Sequence, residues 1–330
     1  MPMSRWMHAW IVIAAAGLLT AAPDFAQAQS DYPNRTIKIV VPVGAGSGAD
    51  LLPRVVAKQL EAKWHQPVVV ENLPGAANNI GAEAVAKSKP DGYTLLAAPP
   101  TALVINPSLY TNLPYNANAF VPVTIIASVP NVLVASPKLP VTSLDELIAY
   151  AKAHPDRLRY GSSGIGTTPH LAMEQLKTAA GIKITHISYR SLPATLAALL
   201  GGEIDLMFDN LTTSLDPVER GNLKALGIGS EKRNPALPDV PAIGERFFGF
   251  QSVTWFAVVA PPKTPAAIAD KLSRTINEIL KLPDVAVAIR NLQAVPVGGT
   301  PEETAAYMKL EAAHWSTVVA AAGVKPRALP

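Results

Sequence analysis

The 330-residue sequence has no cysteine, few aromatic residues and few charged ones. Without cysteine there are no disulfides, no thiolate metal ligands and no thiol nucleophile, so stability must come from the buried core alone. Aromatic residues make up 6% and charged residues 16%, and the net charge of +3 comes from scattered lysines and arginines. This composition lacks the stacking residues and basic patches that bind nucleic acid, so we expect no nucleic-acid partner.

Long apolar runs are also scarce, and the one near the start of the sequence is short. Arg5 precedes an apolar stretch over residues 10–22, and Ala26 and Ala28 form the small-x-small pattern that signal peptidase recognises. A run of about a dozen residues is shorter than the roughly 20 that span a bilayer, although an uncleaved membrane anchor is the alternative. We predict that residues 1–28 are a signal peptide cleaved after Ala28, which places the mature protein outside the cytoplasm.

The first part of the remaining sequence alternates strand-like and helix-like patterns. Runs of β-branched and apolar residues at 36–43, 67–71 and 93–97 alternate with helical patterns at 49–64 and 79–88. Such alternation is typical of an α/β fold with a largely parallel sheet and helices on its faces. At 49% hydrophobic residues, the chain has enough apolar surface to bury two domains of ordinary size.

A second alternation begins at Ser143, whose hydroxyl can form a capping box with Glu146 at the start of a helix. The elements predicted after it are strands at 158–161, 184–189, 204–208 and 223–228, and helices at 169–180, 193–200 and 213–219. The series therefore predicts a second α/β domain.

The regions that join the two series contain further apolar runs. Residues 122–127 and 131–136 are predicted as two strands separated by Pro130, and residues 252–260 as one long strand. Thr264 and Thr300 each precede a proline, and Glu303 completes a capping box, so both threonines are predicted helix caps.

We expect the C-terminal helices to return to the first domain. Residues 131–135 and 253–258 would then be paired crossover strands in a hinge-closing architecture. The sequence thus predicts a signal peptide over 1–28, domain 1 over 29–130 plus 256–330, and domain 2 over 131–255.

Two glycine- and hydroxyl-rich loops each follow a predicted strand and precede a predicted helix. The first glycine loop comprises residues 44–50 and the second glycine loop comprises residues 161–168. Backbone N–H groups at a helix start have no carbonyl partner inside the helix, and together with the helix dipole they favour an anion. Two such loops predict one anion held from both sides.

The first glycine loop also matches part of a dinucleotide-binding fingerprint. Gly44, Gly46 and Ala49 follow a strand and open a helix, and Glu71 ends the next strand about 20 residues further on. An exported NAD-dependent oxidoreductase is therefore the alternative function. We favour a binding protein, because Asp50 would lie where pyrophosphate approaches and because that alternative leaves the second glycine loop unused.

The sequence carries no recognisable catalytic or metal-binding constellation. It has no Gly-x-Ser-x-Gly elbow, and none of its six histidines is paired with another at metal-ligand spacing. His170 adjoins the second glycine loop, where we favour a structural role over that of a general base. Asp209 lies at the carboxyl end of a strand, so it either contacts ligand or water or caps the next helix. We expect no enzyme activity, no metal and no cofactor.

Several short motifs occur in a fixed order along the chain. They are Tyr32-Pro33-x-Arg35-x-Ile37, Pro67-Val68-Val69-Val70-Glu71-Asn72, Pro74-Gly75-Ala76, Asn79-Ile80-Gly81, Pro90-Asp91-Gly92-Tyr93-Thr94-Leu95, Ile105-Asn106-Pro107, Gly166-Thr167-x-Pro169-His170-Leu171, Asp205-Leu206-Met207-Phe208-Asp209-Asn210 and Pro296-Val297-Gly298-Gly299-Thr300-Pro301. From about residue 32 to 325 the chain thereby resembles the periplasmic receptors of tripartite tricarboxylate transporters, the Bug-type solute-binding proteins.

The resemblance implies a two-domain periplasmic binding protein fold, type II-like, with mostly parallel sheets, flanking helices and two crossover hinge strands. It also implies a monomer that closes on a small carboxylate, such as a dicarboxylate or an aromatic acid. The receptor would deliver this ligand to membrane transporter subunits or to a sensor. The ligand contacts carried over by position are Gly46, Ser47 and Asp50 from the first domain, and Ser163, Gly166, Thr167, Thr168 and Asp209 from the second.

The sequence departs from the family pattern at positions expected to set ligand choice. Residues 42–47 replace the usual Pro-Phe-x-Pro-Gly-Gly, which should alter the local backbone geometry. Leu73 replaces a common arginine, Ala77-Asn78 replaces a glycine pair and Pro99-Pro100 replaces small polar residues, which implies a narrower and less cationic distal pocket. The predicted site also includes, on its distal side, Asn78, Pro100, Thr101, Tyr189 and Arg190. The last of these would either meet a second ligand carboxylate or face solvent.

Overall fold

A computed structural model describes residues 32–329. The predicted signal peptide and its cleavage after Ala28 therefore lie outside the described residues. Tyr32–Asn34 contains a cis peptide bond between Tyr32 and Pro33, and the residues from Arg35 onward form a unit of their own. Among residues 32–329, no helix is long and apolar enough to cross a membrane.

The described residues alternate strands and helices, as the sequence predicts. The strands are β1 (Ile37–Val41), β2 (Val68–Asn72), β3 (Thr94–Ala98), β4 (Val121–Ala135), β5 (Arg159–Ser162), β6 (Thr185–Ser188), β7 (Leu206–Asn210), β8 (Lys224–Ile228), β9 (Val253–Ala260) and β10 (Val295–Gly298). The α-helices are α1 (Gly48–Trp64), α2 (Asn79–Ala86), α3 (Asn106–Leu109), α4 (Leu144–Ala153), α5 (Thr168–Ala180), α6 (Leu192–Gly201), α7 (Leu211–Glu219), α8 (Ala266–Leu280), α9 (Pro283–Asn291) and α10 (Pro301–Ala321). Short 3-10 turns lie at Ala117–Ala119 and Ile243–Glu245, and a π-helical turn at Thr101–Ile105.

The sheet is mixed rather than largely parallel. β1 pairs in parallel with β2 and β3, and β5 pairs in parallel with β6 and β7, so the two predicted α/β series are present. Antiparallel strands join them in the order β2-β1-β3-β9-β4-β7-β5-β6, with β8 and β10 also paired to β4. The α/β fold class is confirmed, and the sequence prediction missed the antiparallel orientation of the long central strands β4 and β9.

The prediction of two strands separated by Pro130 is wrong, because β4 runs unbroken from Val121 to Ala135. Proline has no N–H for a ladder, and Pro130 lies where β4 changes partners, from β9 on its N-terminal side to β7 and β8 beyond it. The predicted crossover pairing is also shifted. Residues 253–258 pair with residues 124–130, whereas 131–135 pair with β7 and β8.

Helix caps follow the predictions at two of three positions. The Ser143 hydroxyl accepts the Glu146 N–H at 3.2 Å, and Thr300 forms a full capping box with Glu303 at the start of α10. The prediction for Thr264 is wrong. Its hydroxyl donates to the Pro261 carbonyl at 2.8 Å, so the side chain closes the preceding turn instead of capping α8.

The C-terminal helices pack against elements of the first α/β series, and α10 also contacts α5 of the second series. α8 and α9 pack against α1, and α10 packs against β4, α3 and the π-helical turn. The buried side chains of residues 32–329 include two hydrophobic clusters that bear on the domain division. The first is built around Trp255 and Trp315, and the second around Tyr160 and Phe208.

Candidate functional site

Both glycine loops lie at the carboxyl ends of parallel strands, the edge where open α/β sheets bind ligands. The first glycine loop follows β1 and opens α1, and the second follows β5 and opens α5. The segments after β2, β3 and β7 lie at the equivalent ends of their strands. These five ends define the candidate site.

The first glycine loop leaves polar groups open at the start of α1. Ser47 is the N-cap residue, yet its hydroxyl makes no capping bond, and Ser47 Oγ is buried without a hydrogen-bond partner among the described residues. The N–H groups of Gly48 and Ala49 belong to the first turn, which has no carbonyl partners inside the helix. A buried, unpartnered hydroxyl costs free energy unless something binds it. Ser47 is therefore suited to donate to a ligand oxygen.

Asp50 shapes this loop from inside. Its Oδ2 accepts the Gly46 N–H at 2.9 Å, and its Oδ1 accepts from Arg54 Nε at 2.8 Å and from Asn72 Nδ2 at 2.9 Å. Burial opposes ionisation of Asp50, but the bonds from Gly46, Asn72 and Arg54 outweigh it and hold the pKa below its usual value. Both carboxylate oxygens are thus committed to the protein, and the predicted contact between Asp50 and a ligand stays a prediction.

The second glycine loop is held by side chains of α5. Thr167 caps the helix, since its Oγ1 accepts the His170 N–H at 3.3 Å and donates to the Gly164 carbonyl at 2.9 Å. The Gly166 N–H donates to His170 Nδ1 at 3.4 Å. Gly166 has a φ of +87°, and a Cβ there would lie 2.2 Å from Leu109 Cδ1, so only glycine fits. The structure thus gives His170 a structural bond to the loop.

Thr168 connects the second glycine loop to the central strands. Its hydroxyl is hydrogen-bonded to the hydroxyl of Thr254 on β9, and both residues are buried. Asn210 Nδ2 donates to Thr254 Oγ1 at 2.9 Å and to Asn131 Oδ1 at 2.6 Å. Because its hydroxyl is used internally, Thr168 can offer a ligand its N–H, which is the first of α5. Ser163, one turn earlier, is half-buried in the same loop.

Asp209 is bonded within the protein next to the start of α7, although the N-cap residue of that helix is Asn210. It is only 1% exposed, and its Oδ1 accepts the Asn210 N–H at 2.8 Å. Its Oδ2 accepts from the hydroxyls of Thr213 at 2.5 Å and Ser214 at 2.7 Å, at the start of α7. Burial raises the pKa of Asp209 despite these bonds. A ligand contact for Asp209 stays a prediction.

The distal residues lie on two unusual segments. Ala76, Ala77 and Asn78 have φ values of 46°, 52° and 72°, three consecutive non-glycine residues in the left-handed region. Such conformations are costly and concentrate at functional sites. Pro100 and Thr101 are buried at the start of the π-helical turn, another feature that is frequent at functional sites.

Asn106 joins the left-handed turn to the second glycine loop. Its Nδ2 donates to the Ala77 carbonyl at 2.9 Å and to Asn79 Oδ1 at 2.7 Å. Its Oδ1 is buried without a partner among the described residues, and a Cβ on Gly166 would lie 3.8 Å from it. The structure thus places the buried Asn106 amide between the turn residues Ala77 and Asn79 on one side and Gly166 on the other.

The remaining predicted residues occupy the rim. Tyr189 is half-buried, and its N–H donates to the Ser162 carbonyl at 2.9 Å, whereas Arg190 is exposed. Glu71, which a dinucleotide fold would direct to a ribose, instead forms an ion pair with Lys38 at 2.8 Å. Within residues 32–329, no group of three or more acidic or histidine side chains could hold a metal ion.

Sequence reasoning missed several side chains that shape the site. They are Arg54, Asn72, Asn106, Asn131, His186, Thr213, Ser214 and Thr254. Asn72 and Asn106 belong to motifs that carry the family resemblance, which was the available indication of a role. Arg54, Thr213 and Ser214 lie within five residues of the aspartate that each contacts, whereas Asn131, His186 and Thr254 reach the site from distant parts of the chain.

Comparisons with known proteins identify the family of the chain. A model of the tripartite tricarboxylate transporter family receptor matches residues 52–324. The chain is 38% identical over 318 residues to protein BugT of Bordetella pertussis (strain Tohama I), with 96% of each chain covered. Its structure is similar to that of R. palustris Rpa4515 with adipate, at 36% identity and a TM-score of 0.85, covering 89% of this chain and 99% of that one. It is also similar to MatC (Rpa3494) from Rhodopseudomonas palustris with bound malate, at 28% identity and a TM-score of 0.80, covering 87% and 100%. The chain belongs to the receptor family of tripartite tricarboxylate transporters.

Proposed function

We propose that this protein is a periplasmic solute-binding receptor, without catalytic activity, that holds one carboxylate of a small organic acid between its two glycine loops. The observation that carries this proposal is the buried, unpartnered Ser47 hydroxyl beside the first N–H groups of α1. Facing donors at the second loop are the N–H of Thr168 and the backbone around Ser163. The receptor would deliver the acid to a transporter of the tripartite tricarboxylate type or to a sensor.

The ligand class that we favour is a dicarboxylate. Two structural neighbours carry adipate and malate, both small acids with two carboxyl groups. The second carboxyl group of such a ligand would reach the distal side of the site. The residues predicted there, Asn78, Pro100 and Thr101, carry no positive charge. Arg190 at the rim is the nearest predicted cation for it. Aromatic acids are the next class to test.

Hydrogen bonds from the two loops are sufficient for micromolar binding of a carboxylate. A hydrogen bond to a charged group contributes roughly 1.5–3 kcal/mol, so four or five of them give about 6–15 kcal/mol before the costs of ordering. Micromolar binding needs about 8 kcal/mol. The loops can therefore supply the affinity, and the distal side chains can select among acids.

We also propose that binding closes two domains, one over 29–130 plus 256–330 and one over 131–255. Two observations support this division. The two hydrophobic clusters fall almost entirely on opposite sides of it, and the long strands β4 and β9 pass from one side to the other. Small-angle scattering of a monomer with and without saturating adipate or malate tests it. A smaller radius of gyration with ligand is expected, and identical profiles would contradict closure.

The experiment that tests the function is a thermal-shift screen of the mature protein, followed by calorimetric titration. The panel contains adipate, malate, citrate, benzoate and amino acids, with NAD included for the alternative function. A ligand that binds only the native state raises Tm, so we expect a shift with one class of acid. A shift with NAD and none with the acids would favour the oxidoreductase instead.

A further inference from the structure

Two histidines from different elements lie side by side next to the second glycine loop. His170 is the third residue of α5 and His186 lies on β6, and their ring centroids are 4.5 Å apart. Each ring makes one hydrogen bond toward the loop. His170 Nδ1 accepts from the Gly166 N–H at 3.4 Å, and His186 Nε2 lies 2.7 Å from Ser162 Oγ.

Ser162 links His186 to Gly164 through its hydroxyl. Its Oγ lies 3.3 Å from the Gly164 nitrogen and 3.2 Å from the Gly164 carbonyl oxygen. A hydroxyl has one donor and two acceptor sites. All three are used when His186 Nε2–H and the Gly164 N–H donate to Ser162 and its hydroxyl donates to the Gly164 carbonyl. Thr167 Oγ1 donates to the same carbonyl, so Gly164 is fixed from two sides.

The hydrogen bond from Gly166 defines the tautomer of His170. Its Nδ1 must be unprotonated to accept from Gly166, so its proton is on Nε2. Burial, together with the neighbouring His186, lowers the pKa of His170 to about 3, and burial lowers the pKa of His186 to about 4. Both rings are therefore neutral at pH 7, and the Nε2–H tautomer of His186 is the one that uses all three sites of the Ser162 hydroxyl.

Side chains on the far side of the two rings from the loop pack against them. The Tyr160 ring stacks on His186 with centroids 4.7 Å apart, and its hydroxyl donates to Glu174. Glu174 also accepts from Lys177 at 2.7 Å. This layer leaves the imidazole rings little freedom to rotate. Its charged groups, Glu174 and Lys177, bond to each other, and Glu174 also accepts from Tyr160.

We propose that His170 and His186 are positioning residues of the ligand site, which set the conformations of Gly166 and Gly164 so that the second glycine loop can receive a carboxylate. This inference rests on the proposed function of the loop. Neutral rings suit the task, because they fix the backbone without placing a competing negative charge beside the ligand.

Paired variants separate an acceptor effect from a packing effect. His170→Asn retains an acceptor oxygen close to the position of Nδ1, and His186→Gln retains a polar group close to the position of Nε2. His170→Leu and His186→Leu remove them. His154→Leu is the control, because the His154 ring contacts Tyr150 on α4. Binding of adipate and of malate is measured by calorimetry, and exchange of the Gly166 and Gly164 amides by NMR.

We expect both leucine variants to weaken binding by about tenfold or more, and the asparagine and glutamine variants to recover most of it. Amide exchange at Gly166 should accelerate in His170→Leu and return toward the wild-type rate in His170→Asn. Equal exchange rates in all variants would overturn the positioning role. A different result would overturn the proposed function of the loop instead. In that result, amide exchange accelerates in the leucine variants and recovers in the asparagine and glutamine variants, while the affinity for every acid is unchanged.

A measurement on the unaltered protein covers the case in which a leucine variant fails to fold. Long-range proton–nitrogen NMR correlations report which ring nitrogen carries the proton. We expect Nε2–H for both His170 and His186 at pH 7. An Nδ1–H tautomer at His170 would overturn the proposal, because that nitrogen could not accept from Gly166.

Discussion

The two glycine loops share one local geometry and differ in the charge that maintains it. In each, the glycine before the helix cap donates its N–H to the side chain four residues later, Gly46 to Asp50 and Gly166 to His170. The acceptor is an ionised carboxylate in the first loop and a neutral imidazole in the second. A similar backbone shape is thus built twice, once around an internal anion and once without one.

This difference separates the tasks of the two loops. The Asp50 charge already occupies part of the positive potential at the start of α1, and Arg54 offsets it. A carboxylate ligand at the first loop therefore depends on Ser47 and the open N–H groups rather than on Gly46. The second loop carries no internal anion, so under the proposed function its open N–H group at Thr168 would meet the ligand charge directly.

Removing the internal anion should have the largest effect. Asp50→Ala breaks hydrogen bonds to Gly46, Arg54 and Asn72, and leaves polar groups without partners. We expect the free energy of unfolding to fall by about 2–4 kcal/mol, measured by urea denaturation. Asp216→Ala is the control, because the Asp216–Arg220 pair is exposed and should contribute no more than about 0.5 kcal/mol. Equal losses in both variants would contradict the role of Asp50.

The pH dependence of the free energy of unfolding should also distinguish the two loops, and it is the second largest predicted effect. The pKa values of His170 and His186 are lowered from 6.5 to about 3 and about 4, so below pH 6.5 the unfolded chain binds more protons than the folded one. Stability should therefore fall as the pH decreases from 6.5 toward 4, by up to about 1.4 kcal/mol per pH unit for each ring. The pKa of Asp50 is lowered, so its stabilisation is present above pH 3.8 and is lost only at more acidic pH.

Urea denaturation between pH 7 and pH 5 measures this slope. The His170→Asn variant should show a shallower pH dependence than the wild type, because one of the two rings is gone. The Asp50→Ala variant should keep the wild-type slope over the same range. Equal slopes for the wild type and His170→Asn would show that His170 is not neutral in the folded state.

The helix cap of the second loop should have a smaller effect on stability and a clear effect on binding. Thr167→Ala removes an N-cap and the bond to Gly164, so we expect a loss of about 1 kcal/mol in stability and about tenfold weaker binding of every acid. Thr167→Ser should recover both. Thr300→Ala is a matched control at the N-cap of α10, with a similar loss of stability and unchanged affinity. Unchanged affinity in Thr167→Ala would contradict the role of the loop.

The left-handed turn at residues 75–78 gives the smallest predicted effect, with the opposite sign. Glycine tolerates the positive φ of Ala76, so Ala76→Gly should raise the free energy of unfolding by about 0.5–1 kcal/mol. Ala62→Gly, at an exposed position inside α1, should lower it by about 1 kcal/mol. Thermal denaturation compares the two variants, and changes of the same sign would contradict the assigned turn conformation.

Local patterns were sufficient to predict most elements of the fold. Apolar runs and capping residues predicted both α/β series and the C-terminal helices, because these features depend on neighbouring residues. The continuous strand through Pro130 was not predictable, because it depends on which strands lie on either side. The Thr264 hydroxyl likewise made its bond in the preceding turn, which its sequence pattern did not distinguish from a cap.

The candidate site was predictable in its backbone and not in its supports. Glycine and hydroxyl spacing predicted both loops, and a helix start has the same unpaired N–H groups in any fold. His186 and Asn106 could not be assigned, because each reaches its loop from another element. For Asp50 the sequence suggested a ligand contact, whereas its Oδ1 accepts from Asn72 and Arg54 and its Oδ2 accepts from Gly46, so the fold uses both oxygens.

The most direct test of the account is a crystal structure with adipate or malate bound, using the acid that raises Tm more. The account predicts one carboxylate with its oxygens within hydrogen-bonding distance of Ser47 Oγ and of the Thr168 N–H, with the Gly46–Asp50 and Gly166–His170 bonds intact. An acid whose carboxylates contact neither loop, or a site formed around Arg54 instead, would contradict it.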